Sequence, residues 1–231
     1  LRDLFAGVPI MALTATATPR VRTDIVKQLR LREPSKYIAS FNRPNLFYRV
    51  IAKARPIEQV LSYVRARPKD SGIVYCGSRK AAEEVADALS LNGLAAAPYH
   101  AGMDAAARSK NQEAFLRDEV KIICATIAFG MGIDKAAVRF VIHYDLPKNI
   151  EGYYQETGRA GRDGNPSECL LLFSHGDVGK QLHWIEEMSG KREKEIARDQ
   201  LSKMIEYAES SSCRRHALLA YFGEVGAVEN C

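Results

Sequence analysis

The stretch Gln155-Glu156-Thr157-Gly158-Arg159-Ala160-Gly161-Arg162-Asp163-Gly164 concentrates the most usable chemistry in the chain. Two arginines three apart would share one side of a helical turn, and glycines at 158, 161 and 164 remove the side chains that would keep another surface away. Arginine stays charged at any working pH and grips phosphate oxygens through paired N–H bonds, so the pattern suits a triphosphate. The plain alternative is a glycine-rich helix end whose arginines make ordinary ion pairs. A second stretch, Ala125 to Lys135, directly follows an apolar run. There Thr126 and the amides of Gly130 and Gly132 could hold a phosphate, and Asp134 a ribose or an arginine. Taken alone, a glycine-bearing loop after a strand reads as readily as a turn. Ser78 and Arg79 would open a helix, whose free N–H groups suit contacts with a nucleic-acid backbone. His100, within Tyr99-His100-Ala101-Gly102-Met103, could bond a phosphate, although hydrogen bonding to its own loop is the first reading.

Phosphate chemistry of the usual kind needs more than this. No G-x-x-x-x-G-K-[ST] segment occurs, since Ser189-Gly190-Lys191 lacks both the earlier glycine and the hydroxyl residue. No strand ends in an acidic pair able to hold magnesium. By its own residues the chain is therefore not expected to assemble an ATPase site.

The elements that must position these groups follow a repeating pattern. Apolar runs at residues 72–76, 95–99, 121–125, 140–144 and 169–173 alternate with helix-like stretches, as in a parallel sheet covered by helices on both faces. Ser78 can cap a helix running to Leu91, where Asn92-Gly93 would stop it, and Asp104 can cap another reaching Leu116. Upstream, Val8 to Leu13 reads as a buried strand, and Thr18-Pro19 as the cap and first turn of a helix through Leu29. Lys191 to Glu209 predicts a charged helix, which Ser210-Ser211-Ser212 breaks before Cys213.

Composition bounds the rest. With 231 residues, 46% hydrophobic and 26% charged, the chain should fold, and no apolar run approaches the roughly 18 residues of a membrane span. Of the 33 basic and 28 acidic side chains, 11 and 3 fall in residues 1–55, so the positive charge gathers at the N-terminal quarter. This suits a polyanion partner, or simply a solvated basic face. Five cysteines, an odd number, make a poor disulfide scaffold and suit a reducing compartment. Cys76, Cys124 and Cys169 read as small core residues. A first residue that is Leu, and a last that is Cys, suggest a segment of a longer protein.

Seven short motifs stand in one order along the chain: residues 11–17, 40–45, 72–79, 99–102, 125–135, 155–164 and 213–215. In that order they resemble the RecQ family of DNA helicases. The resemblance implies an α/β chain built on a RecA-like parallel sheet, followed by a small helical, partly zinc-binding module. Residues 1–40 would end the first RecA-like domain and cross over, 41–188 form the second, and 189–231 begin the zinc-binding domain. It also implies ATP and Mg2+ held between two lobes, mainly by residues of the first, and single-stranded or partly duplex DNA moved 3′ to 5′ in repair and recombination. By motif, Arg162 would be the arginine finger and Arg159 its neighbour at the triphosphate. Gln155, Asp134 and Gly132 would attend the nucleotide, and Ser78, Arg79, His100 and Thr126 the DNA path. Thr14 and Thr16 would couple hydrolysis to lobe movement. Cys213 and Cys231 match the first two cysteines of the family's zinc site, which needs four ligands; His216 is conceivable as a third, but reads first as a solvated or packed side chain. Zinc held by this stretch alone should be weak or absent. A monomeric motor is implied, in bacterial cytoplasm with the nucleoid, or in a nucleus if the source is eukaryotic. The competing readings are a stand-alone module that binds single-stranded nucleic acid without a motor, and a nucleotide-sensing scaffold.

Overall fold

The computed structural model describes residues 7–130 and 134–224. They divide into two compact units, one from the described residues within 44–210 and the other from residues 7–43 together with 211–224.

The larger unit is built on six strands, β1 (Leu46–Ala52), β2 (Ser71–Tyr75), β3 (Ala96–Tyr99), β4 (Ile122–Ala125), β5 (Val138–His143) and β6 (Ser167–Phe173). All pairings are parallel, in the order β1-β6-β5-β2-β4-β3. Parallel strands need crossovers, and helices supply most of them. With α1 (Pro19–Gln28) in the smaller unit, the helices here are α2 (Pro56–Arg65), α3 (Arg79–Leu91), α4 (Ala105–Leu116), α5 (Ile150–Thr157), α6 (His175–Glu186) and α7 (Lys191–Glu209). Successive strand residues point to opposite faces, so β2 feeds two cores. Val74 packs with Cys124 and Ile142 against Val60 and Val64 of α2 and Val85 and Leu89 of α3. Ile73 and Tyr75 pack with Ile123 and Val141 against Phe115 of α4 and Phe129. All five residues of β2 are buried, which is why it reads as a continuous apolar run.

The local helix signals hold. Ser78 Oγ accepts the Ala81 N–H at 3.1 Å to start α3, which ends at Asn92 with Gly93 at φ +77°. Asp104 caps α4 through the Ala107 N–H at 2.8 Å, and Thr18 caps α1 with Pro19 in its first turn. The lone-strand expectation fails. Residues 8–13 form no strand, and Val8, Met11 and Leu13 are 52%, 82% and 86% exposed. A strand exists by pairing, and no described strand lies alongside this one. In the other direction, β1 and α2 lie outside the alternating apolar pattern. As an edge strand bonded to β6 alone, β1 alternates buried and solvent-facing residues and carries Arg49 mid-strand, so it lacks the apolar run of a central strand.

Cys76, Cys124 and Cys169 are buried free thiols, as their positions in the strand runs suggested, and burial pushes the first two up from the ordinary thiol range. α7, placed by sequence at the head of the small helical module, belongs to the sheet unit, where Tyr207 meets Tyr153 of α5 hydroxyl to hydroxyl at 3.4 Å. The smaller unit holds α1 and α8 (Arg214–Tyr221).

Close packing at the sheet centre is testable at Gly72, where an added Cβ would lie 2.0 Å from the ring of Phe140. Gly72→Ala should cost about 1–3 kcal/mol in urea unfolding, the usual scale of overpacking, and Phe140→Leu in the same chain should recover part of it.

Candidate functional site

From β2 the chain turns onto the face covered by α2 and α3; from its neighbour β5 it turns into α5 on the α4 side, where Tyr153 meets His143 and Tyr48. Two adjacent parallel strands whose connections leave toward opposite faces open a crevice at their carboxyl ends, the place where open α/β sheets bind ligands. A cleft of about 580 Å³ lies there, lined among others by Tyr75, Thr126, His143, Gln155, Glu156 and Arg159. The structure thus brings Gln155, Arg159 and Thr126 to one concavity.

Arg159 is seated by the backbone. Its Nη1 donates to the Gly130 carbonyl at 2.5 Å, and the guanidinium lies so close over Gly130 that a Cβ there would come within 2.5 Å of Nη2. Its Nε is buried with no acceptor among the described residues. Below it, Tyr75 donates its hydroxyl to the Phe129 carbonyl at 2.9 Å. Burial pushes that hydroxyl well above the usual tyrosine range, against the opposing pull of Arg159. His143 stacks on Tyr75 and bonds Glu156 through Nε2 at 2.8 Å, which fixes the carboxylate next to Gln155 in sequence.

The expectation of two arginines on one helical turn needs correction. α5 ends at Thr157, and Gly161 turns to φ +56° while giving its N–H to the Val138 carbonyl at 2.9 Å. The amide is thereby taken out of the helical ladder. Arg162 instead reaches Asp134 at 2.9 Å, with its side chain 37% exposed and that of Asp134 88% exposed. The arginine is one of the two partners the sequence allowed for Asp134. Arg162 does not line the cleft that holds Arg159. Gly132 lies outside the described residues.

Ser78 and Arg79 sit exposed at the start of α3, and the Arg79 side chain lies over Gly102, within 3.0 Å of where a Cβ would be. His100 is buried and bonds Glu83 of α3 through Nε2 at 3.0 Å, tying the β3–α4 loop to the same helix. Its partner is therefore a carboxylate and not its own loop backbone. Thr126 starts the turn after β4, accepting the Phe129 N–H at 3.0 Å. In the smaller unit, Thr14 Oγ donates to the Thr16 carbonyl at 2.9 Å, which folds that motif on itself. Cys213 caps α8 through the His216 N–H at 3.5 Å, and Cys231 lies outside the described residues. No group of three His, Cys, Asp or Glu side chains able to hold a metal occurs among the described residues. They do not by themselves make a tetrahedral zinc site.

One cluster escaped sequence reasoning. Lys53, just past β1, reaches Asp145 after β5 at 2.7 Å and Asp177 in the first turn of α6 at 3.0 Å, with all three side chains at most 12% exposed. Asp145 also accepts the Gly77 N–H at 2.8 Å, and Lys180 lies 3.6 Å away. Burial alone would raise the Asp145 pKa, but the Lys53 and Gly77 hydrogen bonds hold it below the ordinary carboxylate range. The cluster therefore anchors the loop that carries Ser78 and Arg79. Nothing local marks it, because its members are 92 and 124 residues apart.

A six-stranded parallel sheet with its cleft at the β2–β5 switch and an arginine-bearing turn beside it defines a RecA-like lobe of the helicase class. The fold matches a DEAD box protein from Methanococcus jannaschii, with TM-score 0.55 and 25% identity over 74% of this chain and 46% of that one. It also matches Saccharomyces cerevisiae Dbp5 bound to RNA and ADP BeF3, with TM-score 0.60 and 17% identity over 81% and 54% of the two chains. Residues 52–164 match the family described as helicase conserved C-terminal domain, and residues 175–231 that described as RecQ zinc-binding. Among relatives, the ATP-dependent DNA helicase RecQ of Pasteurella multocida is 46% identical over 97% of this chain and 35% of its own length. The RecQ-like DNA helicase BLM of Xenopus laevis is 48% identical over 97% and 17%. The chain belongs to the RecQ family, and spans only about a third or less of the length of these relatives. No helix among the described residues is long and apolar enough to cross a membrane.

Removing the shared cation of the buried cluster should be costly. Lys53→Met leaves two buried carboxylates, and the usual penalty is about 3–5 kcal/mol, here toward the low end because Lys180 remains nearby. A depressed carboxylate pKa stabilises the fold above its unfolded value and loses that contribution as pH falls. The urea-stability gap between wild type and Lys53→Met should therefore narrow below about pH 4, where carboxyl groups protonate.

Proposed function

We propose that this chain is the second-lobe portion of an ATP-dependent DNA helicase, moving 3′ to 5′ in DNA repair and recombination, and that Arg162 is its arginine finger. The observation that carries the reading is the turn at 158–164. It holds Arg159 in the cleft by a backbone carbonyl, and Arg162 at the surface by an exposed aspartate that a stronger anion can displace.

Phosphoryl transfer depends chiefly on positioning and on stabilising charge at the γ-phosphate, so an arginine delivered from a second lobe links hydrolysis to closure. ATP and Mg2+ would bind mainly to residues of the first lobe. This chain would contribute Arg162, Arg159, Gln155 and Asp134, with Gly132 in the adjoining loop. Ser78, Arg79, His100 and Thr126 would attend the backbone of single-stranded or partly duplex DNA, Arg79 by direct contact and the buried His100 by holding the β3–α4 loop against α3. Such binding is sequence-indifferent and sensitive to salt. Thr14 and Thr16 would transmit hydrolysis to movement. Cys213 and Cys231 would become zinc ligands with further residues of the parent protein, a monomeric motor working on DNA in the bacterial nucleoid or a nucleus.

The test is made in the parent protein. Arg162→Ala should cut DNA-stimulated ATP hydrolysis by about 10³-fold or more, the usual worth of an arginine finger, while ATP binding persists. This chain alone should hydrolyse no ATP. Full turnover by the variant removes the finger role, and salt-dependent DNA binding by a parent without ATP hydrolysis assigns the stand-alone binding module instead.

A further inference from the structure

The smaller unit contains a network that the proposed reaction does not use. α8 ends in a Schellman turn: the Gly223 N–H bonds the Ala220 carbonyl at 3.0 Å and the Glu224 N–H the Leu219 carbonyl at 2.9 Å, with Gly223 at φ +77°. A helix end closed in this way is stiff, so the groups on residues 222–224 are held in place. Together they meet α1 and residues 40–41.

Glu224 spends both carboxylate oxygens on residues 40 and 41. Oε1 accepts the Ser40 hydroxyl at 2.5 Å and Oε2 the Phe41 N–H at 2.7 Å. The Phe41 and Phe222 rings stack with centroids 4.6 Å apart and planes within 9°. Gly223 sits so close to the start of α1 that a Cβ would come within 2.5 Å of Pro19 Cγ. Arg22 of α1 completes the set. Its Nη2 donates to the Phe222 carbonyl at 2.6 Å, its Nε to the Ala17 carbonyl at 2.9 Å, and its guanidinium lies 5.8 Å from the Phe41 ring centre. A single side chain thus touches the end of the Thr14–Ala17 motif, the turn after α8, and the linker residue that stands just before the sheet unit begins at Pro44.

Simple packing would not require this arrangement. Charged groups are committed to backbone and hydroxyl partners from three separate segments, and charge-assisted bonds of this kind fix geometry more tightly than apolar contact. Resting on the motor reading above, we infer that Arg22 and Glu224 are positioning residues. They clamp the linker ahead of Pro44 to the Thr14–Ala17 segment through the turn that closes α8, so that the module begun at Cys213 sets how hydrolysis becomes lobe movement. Neither residue touches nucleotide. Their loss should separate hydrolysis from work.

The experiment uses the parent protein, with Ser40→Ala, Arg22→Ala, Glu224→Ala, Glu224→Gln and the double variant Arg22→Ala/Glu224→Ala. DNA-stimulated ATP hydrolysis, single-strand affinity and thermal midpoint should stay near wild type, while base pairs unwound per ATP fall about tenfold in Glu224→Ala, the scale of a lost charge-assisted hydrogen bond. Glu224→Gln, which keeps an acceptor for one of the two donors, should lie between. Because the residues act in one network, the double variant should lose much less than the product of the single losses. Unchanged unwinding per ATP overturns the inference. So does a parallel fall of hydrolysis, affinity and melting temperature, which would mark a folding role only. A wild-type parent without DNA-dependent hydrolysis removes the motor reading and the clamp together, whereas normal hydrolysis with undiminished unwinding in Glu224→Ala removes the clamp alone.

Discussion

Burial of a parallel sheet on both faces is the constraint on which the larger unit depends. With α2 and α3 packed on one side and α4, Phe129 and Ala160 on the other, β2 has no residue free for chemistry. Reactive groups are driven to the loops at the strand ends. The crevice between β2 and β5 follows from topology, because their connections leave toward opposite faces. Arg159, Thr126 and Gln155 gather there because the turn after β4 and the α5 segment have no other way past the covered sheet.

The polar groups beside that crevice obey a second rule, that charge taken from water must be paired. Lys53 joins Asp145 and Asp177 under the mouth of the sheet, and His143 is held between Tyr75 and Glu156. These contacts do for the loops what apolar packing does for the strands. The loop before α3 hangs from Asp145 through the Gly77 amide, and the turn after α5 from Asn45, whose side chain bonds the Gly161 and Asn165 carbonyls at 2.8 and 3.0 Å. Arg162 is the exception. Its exposed pairing with Asp134 is weak by the same reasoning, since an ion pair in water contributes little.

How much was legible in the sequence depended on the range over which each signal acts. Caps are local, so Ser78, Asp104 and Thr18 marked their helices to the residue. The central strands showed as apolar runs because both faces are buried. β1 did not, because an edge strand keeps solvent-facing residues, and residues 8–13 misled because an apolar run signals burial without supplying a neighbour to pair with. Spacing alone placed Arg159 and Arg162 on one helical turn; α5 ends at Thr157, and only Arg159 lines the cleft.

The sequence by itself determined strands β2 to β6, the capped starts of α1, α3 and α4, the family and the residue types available to phosphate chemistry, since each is written in short segments or in motifs in order. Tertiary structure alone decided which of those residues share a cleft, that Asp134 pairs with Arg162, and that Lys53, Asp145 and Asp177 form one buried cluster. It also decided that residues 222–224 hold the linker near Ser40 across a separation of 184 residues. Such choices depend on how distant segments meet when charge must find charge out of water, and no local pattern of residues encodes that distance.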